Sequence, residues 1–347
     1  LYYQTSWDEY TAPFYEALER AVARGVTVRL LIDHHGMRTI PGHRDFRRRL
    51  NAMGIEWHEM LPFAPLRGQI RRPDLRNHRK ILVIDGREAY IGSHNLVAPD
   101  YGTPSYAKAG MLYDDTSVSV TGPIVAQIQA VFAVDWYYAC KEILTPEVLT
   151  PPVAEVEAER EGEQASAMQI IPSGPAFRGE PNLRAFVHMI STARTHVSIT
   201  SPYFIPDEAL MTALTNAALS GVDVELFVSE QFDQFLVGHA QRSYYGPLLK
   251  AGVRIHLYHK PRMLHSKYMV VDGSLCIIGS SNMDARSFGL NYEIVLVADS
   301  SRLVELLHGN DERTREVSRE LTYEEWRSKP WYIHYVDNVC RLASSLL

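Results

Sequence analysis

At 347 residues the chain is too long for one ordinary core and comfortable for two domains. Hydrophobic residues make up 46% and charged residues 22%, which excludes a disordered chain. The net charge of -6 weighs against a nucleic-acid-binding protein, which carries a basic excess to neutralise phosphates.

In chain order, the apolar spacing of PFYEALERAVARG predicts a helix ended by a Gly in the left-handed C-cap position. VTVRLLI follows as a short strand rich in β-branched residues, and MGIEWHEM supplies another after an intervening helix. KILVID is a third strand, just after His78. The stretch 96–114, rich in Tyr, Pro and Gly, reads as a surface loop or a lid. Residues 145–181 contain Pro, Glu and Ala and a run of acidic charge, and are expected to link two halves. Beyond them a helix at about 182–194 and the strand HVSITSPYF precede a second helix, DEALMTALTNAALSG. The strands VDVELFV and YMVVD follow.

These elements repeat. Residues 78–95 read HRKILVIDGREAYIGSHN and residues 265–282 read HSKYMVVDGSLCIIGSSN, aligning without a gap. ARGVTVRLLID matches LSGVDVELFVS, and MGIEWHEM matches AGVRIHLY. The first half begins inside the strand that HVSITSPYF forms in the second, at LYYQ. Alternating strands and helices imply an α/β fold with a mixed or parallel sheet and helices on both faces. The domains expected are 1–144 and 182–347, joined by 145–181.

In a strand, residues two apart share a face, so His78 and Lys80 emerge side by side, as do His265 and Lys267. That pairing suits a phosphoryl group: the ammonium neutralises an anionic oxygen while the imidazole approaches phosphorus. Ser93 and Asn95, and Ser280 and Asn282, follow glycines at matching offsets and can donate hydrogen bonds to phosphate oxygens. Asp85 and Asp272, five residues past each lysine on strand-end turns, are expected to brace the motifs. Cys140, Cys276 and Cys340 are widely spaced and suggest neither a disulfide framework nor a zinc site.

The duplicated His-x-Lys-x-x-x-x-Asp motif with its trailing Gly-Ser-x-Asn resembles the phospholipase D superfamily. RGVTVRLLID, SPYFIPDEAL, TGPIVAQIQAVFAVDW and SNMDARSFGLNYEI narrow the likeness to bacterial cardiolipin synthases, over nearly the whole chain. The resemblance implies two similar phospholipase D-like domains related by a pseudo-two-fold. It also implies phosphatidyl transfer from one phosphatidylglycerol to another through a phosphohistidine, without cofactor or metal. A hydrolase giving phosphatidic acid and, further off, a nuclease of the same superfamily are the alternatives.

On that resemblance His78 is the nucleophile and His265 the acid and then the base. Lys80, Lys267, Asn95 and Asn282 hold phosphate oxygens, with Ser93 and Ser280 in support. Glu293 matches an acidic residue that orients a motif histidine, and Asp115 is its counterpart, with Asp114 as the alternative. His94 stands where a smaller residue is expected, which leaves the first-half phosphate cradle in question.

The resemblance implies an anionic phospholipid substrate and a membrane surface as partners, with no nucleic acid or protein partner. The location implied is the cytoplasmic face of the cell membrane. The chain opens at Leu1 rather than a methionine and is expected to be part of a protein anchored by a preceding segment. Arg67, Arg71, Arg72, Arg76 and Arg79, with the apolar LPFAPL, form either a headgroup-attracting patch or a solvated loop. Trp326, Trp331, Tyr332 and Tyr335 near the C-terminus are expected to pack against the domain, interfacial anchoring being the alternative.

Overall fold

The computed structural model describes residues 1–63, 72–145 and 166–343. The chain divides into two compact units, Leu1–Leu112 with Ser117–Gln164, and Tyr113–Thr116 with Ala165–Leu347. The short segment 113–116 thus leaves the first half of the sequence and joins the second unit.

In the first unit, the strand Arg29–Asp33 pairs in parallel with Glu56–Met60. Its side chains alternate, so both faces must be covered. Leu30 and Ile32 pack with Tyr15, Phe46 and Leu50 of the helices Ala12–Ala23 and His43–Ala52. Arg29 instead lies over the ring of Trp136, which the helix Ile124–Cys140 buries completely. Asp33 ends the strand as the N-cap of His34–Thr39, accepting from the N–H groups of His35 and Gly36. The motif strand Ile81–Ile84 forms an antiparallel sheet with Glu88–Gly92 and Ser117–Thr121. Leu1 and Ile81 exchange backbone hydrogen bonds, and Tyr2 N–H donates to Leu31 O. LYYQ therefore lies between the strand Arg29–Asp33 and the motif strand, joined by the isolated bridge Tyr2–Ile32 rather than by the full strand that its match to HVSITSPYF predicts.

The second unit repeats this plan around a larger core. Its sheet runs in the order Ser318–Leu321, Arg254–Tyr258, Asp223–Ser229, His196–Thr200, Tyr268–Val271, Leu275–Gly279, Asn291–Asp299. The strands 196–200, 223–229 and 254–258 are parallel and the later ones antiparallel, so the sheet is mixed. Parallel strands buried on both faces read as near-continuous apolar runs, and every residue from Val224 to Ser229 is buried. The helices Pro181–Thr192, Glu208–Leu219 and Phe235–Ala251 cover one core with Phe186, Leu210 and Tyr244.

One sequence expectation needs correcting. Residues 167–173 fall inside the expected linker, yet Ala167–Ser173 is a strand antiparallel to Glu293–Asp299. Pro172 and the preceding acidic run masked its alternation, and a proline is tolerated at such a position only where its missing N–H is not needed by the ladder. Residues 146–165 lie outside the described residues.

Candidate active site

Each motif histidine and lysine sits just before its strand, where the extended backbone puts both side chains on one face. His78, Lys80, His265 and Lys267 are all buried. The lysines are placed alike: Lys80 Nζ donates to His78 O at 2.5 Å, and Lys267 Nζ to His265 O at 2.6 Å. Each ammonium is thereby folded back beside its own histidine. In the first unit the Tyr3 ring packs against the pair, 5.0 Å from the His78 ring and 5.4 Å from Lys80 Nζ.

In the second unit the strand Met263–Leu264 pairs in parallel with Tyr113–Asp114, and His265 N–H donates to Asp114 O at 2.8 Å. That register delivers Asp115 to the motif: its Oδ1 lies 2.6 Å from His265 Nδ1. A carboxylate here fixes the tautomer and ring orientation, leaving Nε2 for proton transfer. Asp114 is used otherwise, as the partner of Arg262 and the Tyr258 hydroxyl. Between the two candidates, then, Asp115 meets the histidine.

Glu293 holds the corresponding register position. Gly92 pairs with Ser117 and Gly279 with Val295, so Asp115 and Glu293 each lie two residues before the residue opposite the motif glycine. Glu293 is fully buried and accepts from the Ser280 hydroxyl and from Asn291 Nδ2. Burial lowers the Lys267 ammonium to about 8, opposed by the field of Asp115, Glu293, Asp284 and Asp233. Gly279 is obligatory at this crossing: a Cβ there would lie 2.2 Å from Ile294 O.

The supporting residues divide. Ser280 was expected to donate to phosphate, but its hydroxyl donates to Glu293 and accepts from Ile294 N–H, so it serves the carboxylate. Ser93 is fully buried. Asn95 is held by Gln4 and by the Tyr101 hydroxyl, and Asn282 is buried with its Oδ1 unpartnered. His94 is exposed, with Nδ1 3.2 Å from Ser117 Oγ.

Asp272 lies at the far end of the motif strand from Lys267. Its carboxylate accepts from Arg194, Thr195 and His196 N–H groups, at 2.9 to 3.2 Å, and from the Thr195 hydroxyl. Burial opposes its ionisation, but these bonds prevail and hold it below the usual carboxylate range. Asp85 repeats its backbone conformation, φ 52°, and is exposed.

The basic cluster also needs correction. Arg79 is 1% exposed and paired with Asp135 at 2.5 Å, with Asn77 Nδ2 donating to the other carboxylate oxygen. It lies between His78 and Lys80 in sequence, so alternation sends it to the opposite face. Arg72 pairs with Asp74, and Arg76 donates to the Pro73 and Leu75 carbonyls. Arg67 and Arg71 lie outside the described residues.

Comparison with known proteins follows the same two stretches. The family model described as "Cardiolipin synthase, PLD-like domain" matches residues 3–136 and 186–313. A cardiolipin synthase of Halalkalibacterium halodurans is 36% identical over 349 residues, and one of Geobacillus thermodenitrificans is 37% identical over 352. Each alignment covers 100% of this chain and 66% of the relative, so the chain spans just under two thirds of their length. A solved phosphatidylserine synthase of Haemophilus influenzae has the same fold. Its TM-score is 0.72 at 15% identity, covering 100% of this chain and 89% of that one.

Proposed function

The chain belongs to the cardiolipin synthase family with phospholipase D-like domains, and from that footing we propose that it transfers phosphatidyl from one phosphatidylglycerol to another. The observation that carries the reading is the His265–Asp115 pair beside Lys267, with the same His-x-Lys placement repeated at His78 and Lys80.

His78 attacks phosphorus, and the bond from phosphorus to the glycerol oxygen breaks. His265, held by Asp115 at Nδ1, gives that oxygen its Nε2 proton. The neutral imidazole then takes the proton of an acceptor phosphatidylglycerol hydroxyl. That oxygen attacks phosphorus, the phosphorus–nitrogen bond breaks, and His78 is restored. Two phosphatidylglycerols become one cardiolipin and one glycerol.

Lys80 and Lys267 carry the non-bridging oxygens, with Asn95 and Asn282 beside them. Glu293 is the second orienting carboxylate, braced by Ser280, while Ser93 supports the first-half cradle. Asp85 and Asp272 act as positioning residues for the motif strands. The three unpaired thiols fit a reducing compartment, which supports work at the cytoplasmic face of the cell membrane. Among the described residues no helix is long and apolar enough to cross a membrane.

The test is product analysis of the purified protein with phosphatidylglycerol in mixed micelles. Cardiolipin and glycerol support the transferase, whereas phosphatidic acid alone would make water the acceptor and the protein a hydrolase.

Lys267 sets an expected pH dependence. Its cation is complete below about 8 and is lost as pH rises through that value, so kcat/KM falls on an alkaline limb near 8. Bound phosphate favours the ammonium, so the limb in kcat lies at higher pH. A Lys267→Arg variant, which stays charged, loses the limb even if its rate is low. An alkaline limb unchanged in that variant would assign the titration elsewhere.

A further inference from the structure

The terminal helix Trp331–Arg341 turns an apolar face to solvent. At 100° per residue, Trp331, Tyr332, Tyr335, Asn338, Val339 and Leu342 fall on one arc. Trp331 is 78% exposed, Tyr332 55%, Tyr335 64% and Leu342 84%. The opposite face carries Val336 and Cys340 into the core beside the helix Phe235–Ala251. With one apolar face already against the core, a helix apolar on both faces has the second covered as well in the working protein. Sequence reasoning favoured packing for these aromatics. It holds for Trp326, which packs over Gly246 and 4.6 Å from the His334 ring, and not for the other three.

We infer that this arc, headed by Trp331 and Tyr335, is a docking face for the interfacial layer of an anionic lipid bilayer. Three features select that occupant. The exposed arc is led by Trp and Tyr, whose rings carry a polar tip and settle at the headgroup level. Within the helix itself the single carboxylate, Asp337, is buried and tied to His239 and Arg242, so it does not face an anionic surface. Arg327, exposed just before the helix, adds a cation of the kind an interfacial helix carries. Phe235, 68% exposed, and Leu236, 48% exposed, open the neighbouring helix with the same apolar character. The choice of lipid over protein rests on the proposed lipid substrate, whose acyl chains stay in a membrane while its headgroup reacts.

The experiment is co-flotation of the purified protein with vesicles of phosphatidylcholine containing phosphatidylglycerol, read without turnover. The Trp331→Ser/Tyr335→Ser/Leu342→Ser variant is compared with the parent, with circular dichroism and melting as fold controls. The variant is expected to keep its fold and to lose vesicle partition by about 10- to 100-fold. Brominated acyl chains are expected to quench the fluorescence difference between the parent and Trp331→Phe. Because mixed micelles dissolve the substrate, the variant is expected to keep its activity there. Unchanged flotation would overturn the inference. So would an absence of quenching, or a parent dimer in sedimentation that the triple variant dissociates, since the face would then be a contact between copies. The micellar product assay tests the transferase separately.

Discussion

An Asp115→Asn variant is expected to fold as its parent does and to lose phosphatidyl transfer by about two to four orders of magnitude. The carboxylate at His265 Nδ1 does two things that an amide cannot do together. It accepts Nδ1–H, which keeps Nε2 as the atom that exchanges the proton. It also supplies the negative charge that stabilises the imidazolium formed when the acceptor hydroxyl is deprotonated. An Asn oxygen can keep the first and not the second; an Asn amino group reverses the tautomer. The loss is expected in kcat rather than KM, because Asp115 acts through His265 and not on the substrate. Asp114→Asn is the matched control: it breaks the partly exposed pair with Arg262, whose worth is small. Steady-state rates of glycerol release and cardiolipin formation decide between them. A larger loss in Asp114→Asn would reverse the assignment.

Arg79→Ala is expected to destabilise the protein by about 3–5 kcal/mol, because it strands the Asp135 carboxylate in the interior. The two side chains are each 2% exposed, and among the described residues Asn77 Nδ2 is the side-chain hydrogen bond left to the acid. Asn77 is engaged on its other side as well, since its N–H donates to the Asp33 carboxylate at 2.8 Å. Burial raises that carboxylate to about 6, so the network is sensitive to any lost donor. Replacing both partners by apolar residues of similar size, Arg79→Met with Asp135→Leu, is expected to recover most of the loss. Urea denaturation reads the outcome as a fall in midpoint at constant m-value. If Arg79 instead attracted headgroups, the single variant would raise KM for phosphatidylglycerol with little change in midpoint.

These two residues mark how far the sequence could be read. The repeat, the two His-Lys pairs and most strands were legible because period-two alternation and identical offsets are local properties. Arg79 was legible in principle: its neighbours face the site, so it faces away, and only its place in a run of arginines suggested otherwise. The partner of Asp115 was not legible. It lies 150 residues away, and the pairing requires four residues of the first half to join the second unit. Ser280 was misread for a related reason, since a serine beside a motif says nothing of a carboxylate thirteen residues on until the strands are paired. The strand at 167–173 was hidden by its proline and its acidic neighbour, and only its ladder to Glu293–Asp299 reveals it. For the terminal aromatics, burial statistics favoured packing, and the helix phase decided the matter.

The most direct test is one reaction: the purified protein mixed with phosphatidylglycerol, quenched over its first turnovers, with lipids and intact protein weighed by mass spectrometry. The expected result is cardiolipin and glycerol in equal amounts, with an acid-labile phosphatidyl adduct on His78. His78→Ala should lose both product and adduct. His265→Ala should lose product while an activated donor still forms the adduct. An adduct on another residue, or cardiolipin formed undiminished by both variants, would contradict a two-histidine transferase.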